Sequence, residues 1–131
     1  MKKINKSYAS MIWQSLAEDP NMNNNVLGLN LSDKKSLNSI LLGLIKTSYD
    51  RLAPFIKERC KNSFAYAINF YDEKKLLRIY ESAMPVFDPP SDMSMKQFYI
   101  TVWETLFPGE NYQIKNSDEY IEVDFKQLYD K

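Results

Sequence analysis

The run SDKKSLNSILLGLIK, residues 32–46, decides the fold class. Ser32 stands where a helix N-cap belongs, and Leu37, Ile40, Leu41, Leu44 and Ile45 recur at the spacing of one helical face. Leu42 widens that apolar stripe, so the helix is expected to be central and mostly buried.

Upstream, Ser7 is a second candidate cap, followed by Tyr8, Met11, Ile12, Ser15 and Leu16 at helical spacing until Pro20 closes the segment. NMNNN (21–25) reads as a loop and VLGLNL (26–31) as a brief extended piece or connector. Downstream, Pro54 lies inside the apolar pattern Leu52, Phe55, Ile56, Arg59 and Cys60, which predicts that one helix ends there and another starts near Ala53. In FAYAINFY (64–71), Phe64, Ala67, Ile68 and Tyr71 fit a helical stripe, but the same residues also alternate as a strand would. Leu76, Leu77, Ile79, Tyr80 and Ala83 predict a helix that stops before Pro85, and PVFDPPSD (85–92) is a proline-rich linker. Ser94 or Asp92 opens another helix, with Met95, Phe98, Tyr99, Val102, Trp103 and Leu106 on one face and FPGE (107–110) ending it. NYQIK (111–115) and EYIEVDF (119–125), separated by NSD, carry a hairpin signal. The expectation is a mainly α protein: five or six helices packed in one domain over residues 1–131, with a small C-terminal β-hairpin.

The residue inventory excludes several function classes. There is no histidine, so Ser–His or Cys–His nucleophile activation and imidazole metal ligation are absent. One cysteine, Cys60, permits neither an internal disulfide nor a Cys-based zinc site. Three dispersed glycines, Gly28, Gly43 and Gly109, write no phosphate-cradling loop. Lys+Arg and Asp+Glu tie at 17 each, whereas a general nucleic-acid binder carries a basic excess, so nucleic acid is an unlikely partner. MKKINKSYASMIWQSLAEDP (1–20) lacks the continuous apolar core of a secretory signal, and no stretch reaches the roughly 18 apolar residues of a membrane span, so a cytoplasmic protein with no membrane partner is expected. The expectation is no enzyme, no catalytic residue, no metal and no cofactor.

Zero net charge hides an asymmetry: residues 32–61 hold seven basic and three acidic side chains, and residues 104–131 hold three basic and seven acidic. The acidic end contains SDEYIEVDFK (117–126), where strand alternation places Ile121, Val123 and Phe125 on one face and Tyr120, Glu122, Asp124 and Lys126 on the other. Three readings are open for it. DFK matches the Asp-x-Lys end of a metal-nuclease motif, which needs a further acid from Asp88 or Asp92. The carboxylates can also be the solvated face of a hairpin. Or Tyr112, Asp118, Glu119, Tyr120, Glu122 and Asp124 form a partner-binding patch, since tyrosine interleaved with carboxylates suits Lys and Arg side chains. The Lys34–Lys61 region reads as helix solvation or as a ridge for a small nucleic-acid-associated regulator or adaptor. Cys60 beside Arg59 and Lys61 reads as a buried structural thiol, and Trp13 and Trp103 as core.

A small single domain without a catalytic inventory, rich in Asn, Lys, Tyr and Asp and ending in a tyrosine-flecked acidic segment, resembles the bacterial toxin-immunity proteins of contact-dependent growth inhibition systems and, more loosely, the colicin immunity proteins. The resemblance implies a protein-binding inhibitor whose partner is a cognate protein toxin, basic and often a nuclease, blocked over or near its active site. Such proteins share no single fold, so the resemblance transfers no individual residues.

Overall fold

A computed structural model describes residues 1–19 and 24–124. The short strand β1 (Lys2–Ile4) leads into α1 (Lys6–Trp13), which tightens into a 3₁₀ turn at Gln14–Leu16. A one-turn helix α2 (Asn24–Leu27) precedes a continuous helical rod made of α3 (Lys34–Ile40), a π-helical segment (Leu41–Lys46) and α4 (Thr47–Asp50). Then come α5 (Pro54–Phe70), α6 (Glu73–Ser82), α7 (Met95–Leu106), a 3₁₀ turn at Ser117–Glu119 and β2 (Tyr120–Glu122). The protein is therefore mainly helical with a small two-stranded sheet. No helix among the described residues is long and apolar enough to cross a membrane.

The core forms around Trp13, which is fully buried among Phe64, Tyr80, Phe98 and Tyr99 at centroid distances of 5.6, 4.9, 4.8 and 5.1 Å. One residue each from α1 and α5, one from α6 and two from α7 thus meet at a single point. Phe64 and Tyr99 stack at 4.7 Å with rings 16° apart. Buried tyrosine needs a partner for its hydroxyl: Tyr80 donates to the Phe87 carbonyl at 2.7 Å, Tyr99 to that of Leu76 at 2.6 Å and Tyr49 to that of Lys57 at 2.8 Å, while Tyr8 accepts from Arg59 at 2.9 Å. The Tyr80 bond pins the proline-rich linker to α6.

Helix boundaries follow capping chemistry. Pro54 sits at the first position of α5 behind the extended Ala53, as the proline predicted, and α5 runs unbroken to Phe70, which resolves FAYAINFY as helix. Ser94 caps α7 through the Gln97 amide at 3.0 Å, and Glu73 caps it a second time from α6, its two carboxylate oxygens accepting from the Met95 and Lys96 amides at 2.8 and 2.9 Å. Gly109 takes a positive φ of 80° in the turn after α7. Two caps differ from expectation. Asn5, not Ser7, caps α1, accepting from the Ser7 amide at 2.8 Å; Asp33, not Ser32, caps α3, accepting from the Ser36 amide at 3.0 Å. In both places two capping residue types lie close together, and the cap is the one that stands immediately before the first helical residue, Lys6 or Lys34.

The rod over residues 34–50 is less buried than its composition implies. Leu37, Ile40, Leu41 and Ile45 are buried, Leu44 is half-buried, and Leu42 is 49% exposed. The π segment widens the turn, with the Thr47 hydroxyl donating to the Leu42 carbonyl five residues back at 3.2 Å. Leu42 faces solvent, while Tyr49 follows Leu41 and Ile45 at four-residue spacing into the core.

The sheet is not a C-terminal hairpin. β2 pairs in parallel with β1, in the register Lys2–Tyr120, Lys3–Ile121, Ile4–Glu122. The Val123 amide extends the ladder to the Ile4 carbonyl at 2.9 Å. Residues 111–115 stay outside it because a side chain takes the place of a partner strand: Asn69 donates to the Tyr112 carbonyl at 2.8 Å and accepts from the Ile114 amide at 3.2 Å. Asn5 locks the chain ends together, its side chain donating to the Val123 carbonyl at 2.7 Å and its amide to Ser63 Oγ at 3.1 Å.

Candidate functional site: an aromatic and acidic face

The last turns of α5 carry Tyr66 and Phe70 one helical turn apart, on the side opposite the buried Phe64, Ala67 and Ile68. Their rings meet at 4.6 Å, and Tyr66 also approaches Tyr71 at 5.8 Å and Tyr120 of β2 at 5.7 Å. Phe70 is 48% exposed and the neighbouring Ile121 45%, while the three tyrosines are half-buried. Four aromatic rings therefore line a surface, with Ile121 on the adjoining strand. Isolated exposed apolar residues are ordinary, whereas clustered aromatic residues are a type in which interfaces are enriched.

One carboxylate, Glu122, lies beside this surface, and others are exposed along the same C-terminal segment. Asp118, Glu119, Glu122 and Asp124 are all exposed. Glu122 lies close enough to the aromatic cluster to act on it: the Tyr71 hydroxyl is pushed up to about 12 by burial first, then by the Glu122 carboxylate and Tyr66. Cations complete the border, Lys75 lying 3.8 Å from the Tyr71 ring centroid and Lys2 5.1 Å from that of Tyr120.

The six residues expected to form a partner-binding patch are only partly gathered. Tyr112 and Tyr120 line one hollow of about 340 Å³ together with Lys2, Glu58, Lys61 and Glu110. Asp118 and Glu119 line a second, of about 450 Å³, with Met1, Lys2 and Asn116. Lys2 borders both. Glu122 lies toward Tyr71, and Asp124 follows β2. The strict alternation expected for 120–125 does not hold: Val123 is buried, but Ile121 is 45% exposed and Tyr120 half-buried. Phe125 and Lys126 lie outside the described residues.

Sequence reasoning missed Tyr66, Phe70 and Tyr71. The readable signal was Tyr66 and Phe70 at i, i+4 on the face opposite the apolar stripe, where solvated side chains belong.

The metal-nuclease alternative gains no geometry, since no group of three or more Asp, Glu or Cys that could hold a metal ion occurs among the described residues. In the Lys34–Lys61 region Arg59 is buried with its guanidinium donating to the Tyr8 hydroxyl at 2.9 Å, Lys46 pairs with Asp50 and Lys61 pairs with Glu110, while Lys34, Lys35 and Arg51 are exposed. Cys60 is fully buried, and burial pushes its thiol up to about 12, far from a reactive thiolate. Both tryptophans are core, the Trp103 indole donating to the Glu110 carbonyl at 2.8 Å.

No family model, curated protein or solved structure matches this chain.

Proposed function

We propose that this protein is a cytoplasmic, non-catalytic inhibitor of the immunity class, which neutralises a cognate basic toxin by docking it on the face formed by Tyr66, Phe70, Tyr71, Tyr120 and Ile121. The observation that carries this reading is the half-open aromatic cluster with Glu122 beside it and three further exposed carboxylates on the same C-terminal segment. Aromatic anchors supply contact area at small entropic cost, and a rim of carboxylates steers a cationic partner during encounter. A nuclease must carry positive charge to hold phosphates, which makes it a natural target for such a rim. Lys2 and Lys75 temper the local charge, so the rings supply most of the affinity and the carboxylates mainly the association rate.

The test is titration calorimetry and stopped-flow association against the protein encoded by the adjacent upstream gene. Tyr66→Ser/Phe70→Ser is expected to weaken binding by a hundredfold or more, on the order of a lost hot spot, and Glu122→Lys/Asp124→Lys to slow association and flatten its salt dependence. Undiminished binding by both variants overturns the assignment of the face. No binding by the wild type overturns the immunity reading.

A further inference from the structure

A second cleft, on the surface between α1 and α6, has a different chemistry. Lys6, Ser7, Ser10 and Gln14 line it from one side, and Lys75, Arg78, Ile79 and Ser82 from the other, around a cavity of about 550 Å³. These positions are matching stripes on two packed helices, each spaced by three or four residues. At the contact between the helices, Ser10 and Ser82 hydroxyl oxygens lie 3.0 Å apart, and Ser82 donates onward to the Ile79 carbonyl at 2.6 Å. Their protons are thereby used within the protein, and the floor of the cleft is polar but neutral.

The charge of the walls is one-sided. Lys6, Lys75 and Arg78 converge there, and no carboxylate is among the lining residues, although acids and bases are equal in number over the chain. Of the acids near α6, Asp72 accepts from the Lys75 amide at 2.8 Å, Glu73 caps α7, and the exposed Glu81 does not line the cleft. The ion pairs among the described residues, Lys46–Asp50 and Lys61–Glu110, involve none of the three. Like charges held together without counter-charge raise the potential in a concave site and focus an anion into it.

We infer that this cleft is a binding site for a small phosphoryl-bearing ligand. Arg78 offers the planar fork that matches two phosphoryl oxygens, Lys6 and Lys75 add ammonium donors from opposite walls, and the Ser7 hydroxyl and Gln14 amide supply neutral ones. The cavity falls within the range of small-molecule sites, large enough for an organic phosphate of nucleotide size. Recognition here uses side-chain cations, which is why the absence of a glycine-rich loop does not preclude it. The cleft shares Lys75 with the border of the toxin-docking face, but Lys6 and Arg78 belong to the cleft alone, so variants at those two test it separately.

The experiment titrates the full chain with inorganic phosphate, pyrophosphate and a nucleoside 5′-monophosphate, read by calorimetry and amide chemical shifts. Saturable binding is expected, with the shifts concentrated at Ser7, Ser10 and Ser82. Lys6→Gln/Arg78→Gln should weaken it by about tenfold or more, whereas Lys34→Gln/Lys35→Gln, which removes the same charge elsewhere, should not. Lys75 is left intact because it also touches Tyr71. Tighter binding of the monophosphate than of inorganic phosphate identifies an organic phosphate as the ligand; equal binding identifies the bare phosphoryl group. Absence of saturation, or equal loss in the two double variants, overturns the site.

Discussion

Two aromatic clusters meet opposite faces of α5, and they differ in what their tyrosines do. Around Trp13 the rings are sealed, with Tyr80 and Tyr99 each spending a hydroxyl on a main-chain carbonyl of the linker or of α6. Around Tyr66, one helical face away, the rings are half-open, and Tyr66 and Tyr71 make no hydrogen bond through their hydroxyls among the described residues. The first cluster closes the fold by satisfying its tyrosine hydroxyls as it buries apolar rings. The second leaves both ring faces and donors available to something else. The difference teaches that tyrosine content alone says nothing of recognition; the fate of the hydroxyl does.

Base is expected to break the sealed cluster outright. Burial raises the Cys60 thiol from 9.0 to about 12 and raises Tyr49, Tyr80 and Tyr99 well above their usual 10.0. Below pH 9.0 the Cys60 proton is held by folded and unfolded chains alike, and its contribution to stability is intact. Above it only the unfolded chain releases that proton, so stability falls as pH rises toward 12, and the tyrosines deepen the fall from 10.0 upward. Thermal melts across that window should show a steadily falling midpoint, and a flat profile would contradict the burial of these groups.

Truncating one ring from each cluster gives a smaller but sharper contrast. Trp13→Ala should cost about 3–5 kcal/mol by urea denaturation, the usual toll of removing a large buried aromatic side chain. Phe70→Ala should cost less than about 1 kcal/mol, since half of that ring is already in water. Comparable losses would mean that the Tyr66 cluster is structural.

Removing single oxygen atoms is the finest test. Tyr80→Phe orphans the Phe87 carbonyl and should cost about 1–2 kcal/mol, while Tyr66→Phe should be close to neutral. Equal costs from the same denaturation experiment would erase the distinction between the clusters.

Much of the helical architecture was legible because it is written in local periods. The stripe Met95, Phe98, Tyr99, Val102, Trp103 and Leu106 is buried throughout, and Pro54 marks the start of α5. The candidate site was legible only in part. Its carboxylates and Tyr120 stand together in the sequence, but Tyr66, Phe70 and Tyr71 come from a helix some fifty positions earlier and join them only through the packing of β2 near α5. The hairpin expectation failed for a related reason. A local pattern proposes the nearest segment as partner, yet Asn69 had already satisfied residues 112 and 114, and β1 is too short and charged to announce itself as a strand.

The sequence by itself determined the mainly helical class, the punctuation of α5 and α7, and the exclusion of histidine- and cysteine-based chemistry, because propensity, capping and residue inventory act over a few positions or none. Only the tertiary structure decided which tyrosines are sealed and which are open, that the two chain ends pair in parallel, and that Lys6, Lys75 and Arg78 share one cleft. Those outcomes depend on hydrogen bonds, burial and charge compensation between residues far apart in the chain, and no local period records them.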